Sequence, residues 1–364
     1  MTAAARRLPI LGAGAVALLA GLFAGLARLG WEMPAPALAA RLVDLHGPLM
    51  VCGFFGTVIG LERAVAFAKP WAFAAPLLSG LGAIALLVGL PVVLGGATML
   101  GGALIFLAVA GIVAYRHRAL YTLTLALGAA AWPAGLAAWL IADRVGAGVA
   151  AWGCFLLLTI AGERLELSRF LPPSRWKAPG AVLAFGLLLA GSLLTALELP
   201  PGDMLFGIGL LALAIWLLRH DVVRRTVRQS GLTRYMAICL LSGYFWLAAA
   251  GAITVACGLP EGGPFYDAIL HSLFVGFVFA MVFGHVPVIL PAVLRLPMPF
   301  HPGLYAPLVL LHASLLLRVA GDLGGIDAAR RWGGMLGAVV ILGFLLITAA
   351  TVATAARRRP RTTS

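Results

Sequence analysis

Apolar runs of roughly twenty residues, each closed by charges or by a Pro/Gly break, recur along the whole chain. A run of that length spans the hydrocarbon core of a bilayer as a helix, whereas a soluble helix usually keeps one polar face. Cutting at the breaks predicts spans at 8–29, 42–66, 71–92, 94–115, 120–141, 146–165, 178–197, 203–219, 233–256, 266–291, 303–321 and 332–355. The narrowest division is at Pro91–Gly95, where two spans meet with almost no loop. The expected fold is an all-α polytopic membrane bundle of about 12 helices, in one domain.

Composition agrees: 62% of residues are hydrophobic and 11% charged, against about 25% charged in soluble domains. The 26 Lys+Arg against 13 Asp+Glu resemble a nucleic-acid signal only until they are placed. With both termini on one side, twenty of the basic residues fall on that side and six on the other: Arg28, Arg41, Arg144, Arg318, Arg330 and Arg331. Such an asymmetry sets topology, so cytoplasmic termini in a bacterial inner membrane are expected, with lipid rather than nucleic acid as the partner. The tail RRRPRTTS (357–364) reads as a topology anchor touching anionic lipid. Arg6 and Arg7 before an apolar run imitate a signal peptide, but without a clear small-residue cleavage site the first span is expected to be retained. The four cysteines lie in apolar segments without a C-x-x-C pair and read as small core residues.

TVIGLERAVAF (57–67) in the second span resembles LTIAGERLELS (158–168) in the sixth, and the tenth span lies four helices further on. The bundle is therefore expected to contain three pseudo-repeats of four helices. The repeated Glu62–Arg63 and Glu163–Arg164 fall at helix ends, where a carboxylate needs a compensating cation. Arg63 and Arg164 supply it, within or between helices. An ion-pair girdle and a proton or ion entry point both suit that pattern.

Ionisable groups inside a membrane are costly and mark functional sites. The tenth span carries His271 and His285; fourteen helical steps leave them ~40° apart in direction but ~21 Å apart in depth. They cannot share one ion. His46 in the second span enters from the same side as His271 and reaches a similar depth. Two helices with histidines at matched depth can hold a haem, one ligand per face; a neutral imidazole bonded to a carbonyl, or to Asp44 or Asp267, is the alternative. Gly53, Gly56 and Gly60 fall within ~80° of the His46 direction, a smooth face for a macrocycle or for a neighbouring helix. Below His271 the same face offers Phe274, Val275, Val278 and Val282. On the other half, His285 precedes Pro287 and Pro291, which free carbonyls. His312 in the eleventh span rises to a comparable depth, and His301 in the loop can approach from below. Copper, iron and zinc all suit imidazole, as does a packing role for these polar groups. His117 and His220 stand in basic loops and are expected to be solvated.

LHGPLMVCGF (45–54) and LHSLFVGFVFAMVFGH (270–285) resemble the second and tenth helices of haem–copper oxidase subunit I. ILHSL, Gly284–His285 and RVAGDL (318–323) are closer to the NnrS-type membrane proteins, haem- and copper-containing relatives linked to nitric oxide stress in bacteria. The resemblance implies haem at His46 and His271, and leaves room for copper near His285, His312 and His301. It departs from the oxidases in that 146–165 and 178–197 hold no histidine, so a complete oxygen-reducing centre is not implied. The NnrS-type doubled histidine is here Leu45–His46–Gly47. The function expected is electron transfer, with an unidentified redox partner, or nitric oxide handling. A secondary transporter rocking around the kinked tenth helix, and a cofactor-free assembly protein, are the rivals.

Overall fold

In the computed structural model, which describes residues 3–296 and 298–357, the chain is helical throughout, with no strand among the described residues. Among the described residues twelve helices are long and apolar enough to cross a membrane: α1 (Arg7–Arg28), α2 (Pro36–Phe67), α3 (Pro70–Leu87), α4 (Val92–Arg116), α5 (Leu120–Ala142), α6 (Gly146–Phe170), α7 (Lys177–Ala196), α8 (Gly202–His220), α9 (Gly231–Cys257), α10 (Gly263–Leu294), α11 (Pro302–Gly324) and α12 (Asp327–Ala355). The protein is a multi-pass membrane protein. The tight division between the third and fourth spans is made at Gly89, whose φ of 86° reverses the chain, and at Pro91, after which α4 starts.

Chain neighbours pack most closely, α5 on α6, α7 on α8 and α11 on α12, as short connections between antiparallel helices require. One helix is central. In α6, 83% of the spanning window is buried, against 28% in α4 and α12, so α6 is the hub and those two face outward. Its register against α5 is fixed by two glycines: a Cβ on Gly135 would stand 2.8 Å from the Gly148 carbonyl oxygen and 2.6 Å from Trp152 Cδ1. Small residues allow this approach, which drives association where apolar surface alone gives no preference over lipid.

Two spans are longer than expected and irregular at matching places. α2 begins at Pro36, tightens to a 3₁₀ turn over Val43–Leu45, and widens to π-helical turns over Leu49–Phe55. α10 widens in the same way over Ser272–Phe279 and then runs through Pro287 and Pro291. Each wide segment begins within three residues of a histidine, His46 or His271. π-helical turns are rare and concentrate at functional sites.

The six sparse basic residues gather at one end of the bundle. Arg28, Arg144, Arg318 and Arg330 line the mouth of a cavity there. Arg41 donates to the Leu87 carbonyl at 2.6 Å, and Arg331 to that of Gly30 at 2.8 Å while covering the Trp31 ring. The basic tail from residue 358 onward lies outside the described residues. Three cysteines are buried as expected, but Cys257 is exposed where α9 ends.

Candidate functional site

His46 sits where the 3₁₀ turn of α2 gives way to α-helix. Its Nδ1 lies 2.7 Å from the Gly21 carbonyl oxygen of α1. A carbonyl only accepts, so Nδ1 carries the proton and Nε2 keeps its lone pair. One turn further along α1, Gly25 makes room for the ring: a Cβ there would lie 2.8 Å from Cε1 and 2.9 Å from Nδ1. α1 is thus a wall of the site, a role the sequence reading did not give it. Its G-x-x-x-G at Gly21–Gly25 was the available signal.

His271 is held from its own helix. Nδ1–H donates to the Asp267 carbonyl at 2.8 Å, and the Asp267 carboxylate Oδ1 stands beside the same nitrogen at 3.2 Å. That carboxylate is gripped by Arg318 of α11 through two parallel bonds, Nε to Oδ2 at 2.8 Å and Nη2 to Oδ1 at 2.9 Å. Two-pronged pairing fixes direction as well as charge, so Asp267 cannot swing away from the ring. The carbonyl-bonded imidazole expected as the alternative is therefore present at Nδ1 of both histidines. Among the described residues neither Nε2 has a hydrogen-bond partner.

The two rings lie nearly parallel, 14° apart in plane, with centroids separated by 6.2 Å. That is too far for direct stacking. Both histidines line one cavity of ≈ 740 Å³, within the ~300–1,000 Å³ of small-molecule sites. Its inner wall is apolar, with Met50, Phe55, Trp152, Phe274, Val275 and Phe279. Phe274 and Val275 are where the sequence placed them, but buried Val278 and half-buried Val282 are not on the wall. The reason is the π-helical stretch, which takes more residues per turn than the regular helix assumed and shifts the phase beyond it. The glycine face of α2 also turns out to serve packing. A Cβ at Gly53 would meet Ala17 and Ala83 at 3.0 Å, one at Gly56 would strike Trp132, and one at Gly60 would lie 3.4 Å from Pro76.

The expected second pair, His285 with His312, is not brought together. His285 donates from Nδ1 to the Met281 carbonyl at 2.7 Å, and its Nε2 accepts from the buried Arg164 at 3.2 Å. His312 faces α9, where Nδ1 accepts the Trp246 indole N–H at 3.0 Å and Nε2 meets the Ser242 hydroxyl at 2.8 Å. Similar depth did not imply similar direction, and all four ring nitrogens are engaged. His301 is exposed and its Nδ1 accepts the Gly303 N–H, capping a short turn. Among the described residues no group of three or more His, Cys, Asp or Glu could hold a metal ion. Loss of the Trp246 donor would leave a half-buried acceptor unpaired, at a cost toward the lower end of the about 1–3 kcal/mol for a fully buried one. Trp246→Phe should therefore lower the thermal midpoint of detergent-solubilised protein; an unchanged midpoint would mean that water satisfies His312 equally well.

The repeated Glu–Arg pairs do exchange partners, though only once. Arg63 of α2 pairs with Glu163 of α6, while Arg164 goes to His285 instead. His220, expected in solvent, is half-buried against Trp216, with ring centroids 5.9 Å apart. Among curated proteins none matches the chain. The family model described as a domain of unknown function (DUF8744) matches residues 7–354, nearly the full span of the bundle, and the chain belongs to that family.

Proposed function

We propose that the protein binds haem between α2 and α10, where His46 and His271 would hold it, and works in electron transfer or in the nitric oxide stress response of a bacterial inner membrane. The spacing of the two rings carries this reading. An iron between two imidazoles needs ligating nitrogens ~4 Å apart, each bond being ~2 Å, and the rings add ~1 Å on each side, giving centroids ~6 Å apart. The rings stand at 6.2 Å, near-parallel, each with Nδ1 tied to a carbonyl and Nε2 free. Ligating histidines characteristically carry such a bond on the other nitrogen, which fixes tautomer and ring orientation.

The residues around the histidines fit the rest of the group. The apolar inner wall suits a macrocycle, and the arginines at the mouth suit its carboxylates. Arg28 is the most available of them: its contact with the exposed Asp44 is 3.7 Å, and its own side chain is more exposed than those of the other three. Bound there, haem supplies one-electron exchange at its iron. The chain's own part is to exclude water with Phe274, Phe279 and Trp152, and to hold both ring planes fixed. Histidine on both faces favours electron transfer over gas binding at the metal. The charge asymmetry across the spans supports cytoplasmic termini, which puts the cavity mouth on the outer side. The neighbourhood of His285 and His312 gives copper no comparable support.

Protein purified in detergent after growth with haem precursor should show the absorption bands of a low-spin, six-coordinate haem. His46→Ala and His271→Ala should each lose that spectrum while keeping the helical circular dichroism of the wild type. A wild type that takes up no haem, even on reconstitution, would overturn the reading and leave a cofactor-free transporter as its rival.

A further inference from the structure

We infer that Asp267, locked by Arg318, is a positioning residue that makes the two haem ligands chemically unequal, with His271 the stronger donor; this rests on the haem reading above. The inequality lies in what stands behind each ring. His46 gives its Nδ1–H to a neutral carbonyl of α1 and to nothing else among the described residues. His271 also gives its Nδ1–H to a carbonyl, but a carboxylate oxygen stands 3.2 Å from that nitrogen. A carboxylate placed behind an imidazole favours positive charge on the ring and so raises the basicity of the opposite nitrogen. More basic ligation stabilises the ferric over the ferrous state, so the Asp267 side holds the reduction potential down.

The remaining contacts show that this carboxylate is held in place. Arg318 engages both of its oxygens, at 2.8 and 2.9 Å, and both side chains are mostly shielded, 12% and 20% exposed. The guanidinium is itself seated on α12, where Gly333 and Gly334 leave the space: a Cβ on Gly334 would lie 3.1 Å from Arg318 Nη1. Aspartate, arginine and glycine notch come from three helices, so the direction of the carboxylate follows from the packing of α10, α11 and α12. The arginine keeps the carboxylate ionised, since the attraction between the two charges offsets part of the cost of holding each of them away from water.

The experiment is a redox titration of the haem-loaded protein, followed optically, with low-temperature electron paramagnetic resonance of the ferric form. Asp267→Asn keeps the shape and removes the charge. It should raise the midpoint potential and shift the resonance anisotropy, because the axial field weakens. Asp267→Glu should return both toward wild type. Glu166→Gln, which removes a carboxylate paired with Arg169 off the cavity wall, should change neither. If Asp267→Asn does not accumulate, Arg318→Lys serves: it keeps the charge but loses the fork that aims the carboxylate, and should shift the potential in the same direction. A variant that keeps its haem at the wild-type potential overturns this inference and leaves the haem site standing. A wild type without haem overturns both.

Discussion

Gly25→Leu is expected to abolish haem binding although no ligand is touched. A single Cβ at this position of α1 would already stand 2.8 Å from His46 Cε1 and 2.9 Å from Nδ1, well inside van der Waals contact. The ring cannot yield freely, because its Nδ1–H is committed to the Gly21 carbonyl one turn away at 2.7 Å. Overpacking of a tight site costs about 1–3 kcal/mol for a small excess of volume, which is about a 5- to 150-fold loss of affinity. A leucine brings three more carbons than the Cβ alone and must push the ring off its carbonyl. Gly25→Ala should fall between, binding haem weakly. The measurement is haem content per protein after reconstitution, beside circular dichroism to show that the helices remain. Full haem content in Gly25→Leu would mean that α1 does not hold His46, and the ring geometry would lose its support.

The bundle itself was legible because membrane helices write themselves into the sequence as length and polarity, signals that survive without knowledge of packing. The predicted spans recur as α1 to α12 with ends moved by several residues, most at Pro36, where a short apolar stretch continues the helix beyond the lipid-length core. The pairing of His46 with His271 was legible for a related reason. Depth can be counted from helix ends, and both helices start earlier than predicted, at Pro36 and Gly263, so the match in depth between the two histidines survives the shift. The inner pair failed on direction. Between His271 and His285 the helix runs through π-helical turns, so a phase extrapolated at a constant angle no longer holds. Nothing in the apolar run SLFVGFVF announces that widening. Partners across helices were the other blind spot. That Trp246 and Ser242 would occupy His312, or Arg164 His285, depends on which helices are neighbours, and one sequence does not contain that information.

The largest loss of stability is expected at the crossing of α5 and α6, and it should reach the site as well. At Gly135 an added methyl would meet the Gly148 carbonyl at 2.8 Å and the Trp152 ring at 2.6 and 2.7 Å; at Gly148 it would strike the Gly135 carbonyl. Backbone cannot step aside as a flexible side chain does, so even alanine must part the two helices or evict the indole. The cost should reach the upper part of the ~1–3 kcal/mol found for overpacked cores, since in lipid close packing is itself the main cohesive term. The indole displaced is no bystander: Trp152 lines the cavity beside His46 and Met50. Gly135→Ala and Gly148→Ala should therefore lower the thermal midpoint and reduce haem occupancy together. Gly111→Ala on α4, whose Cβ would meet nothing within 4 Å, should do neither. An unchanged midpoint in both crossing variants would show that α5 and α6 do not pack on these glycines. A lowered midpoint with full haem would separate the stability of the hub from the shape of the site, and Trp152 would then be lining without function.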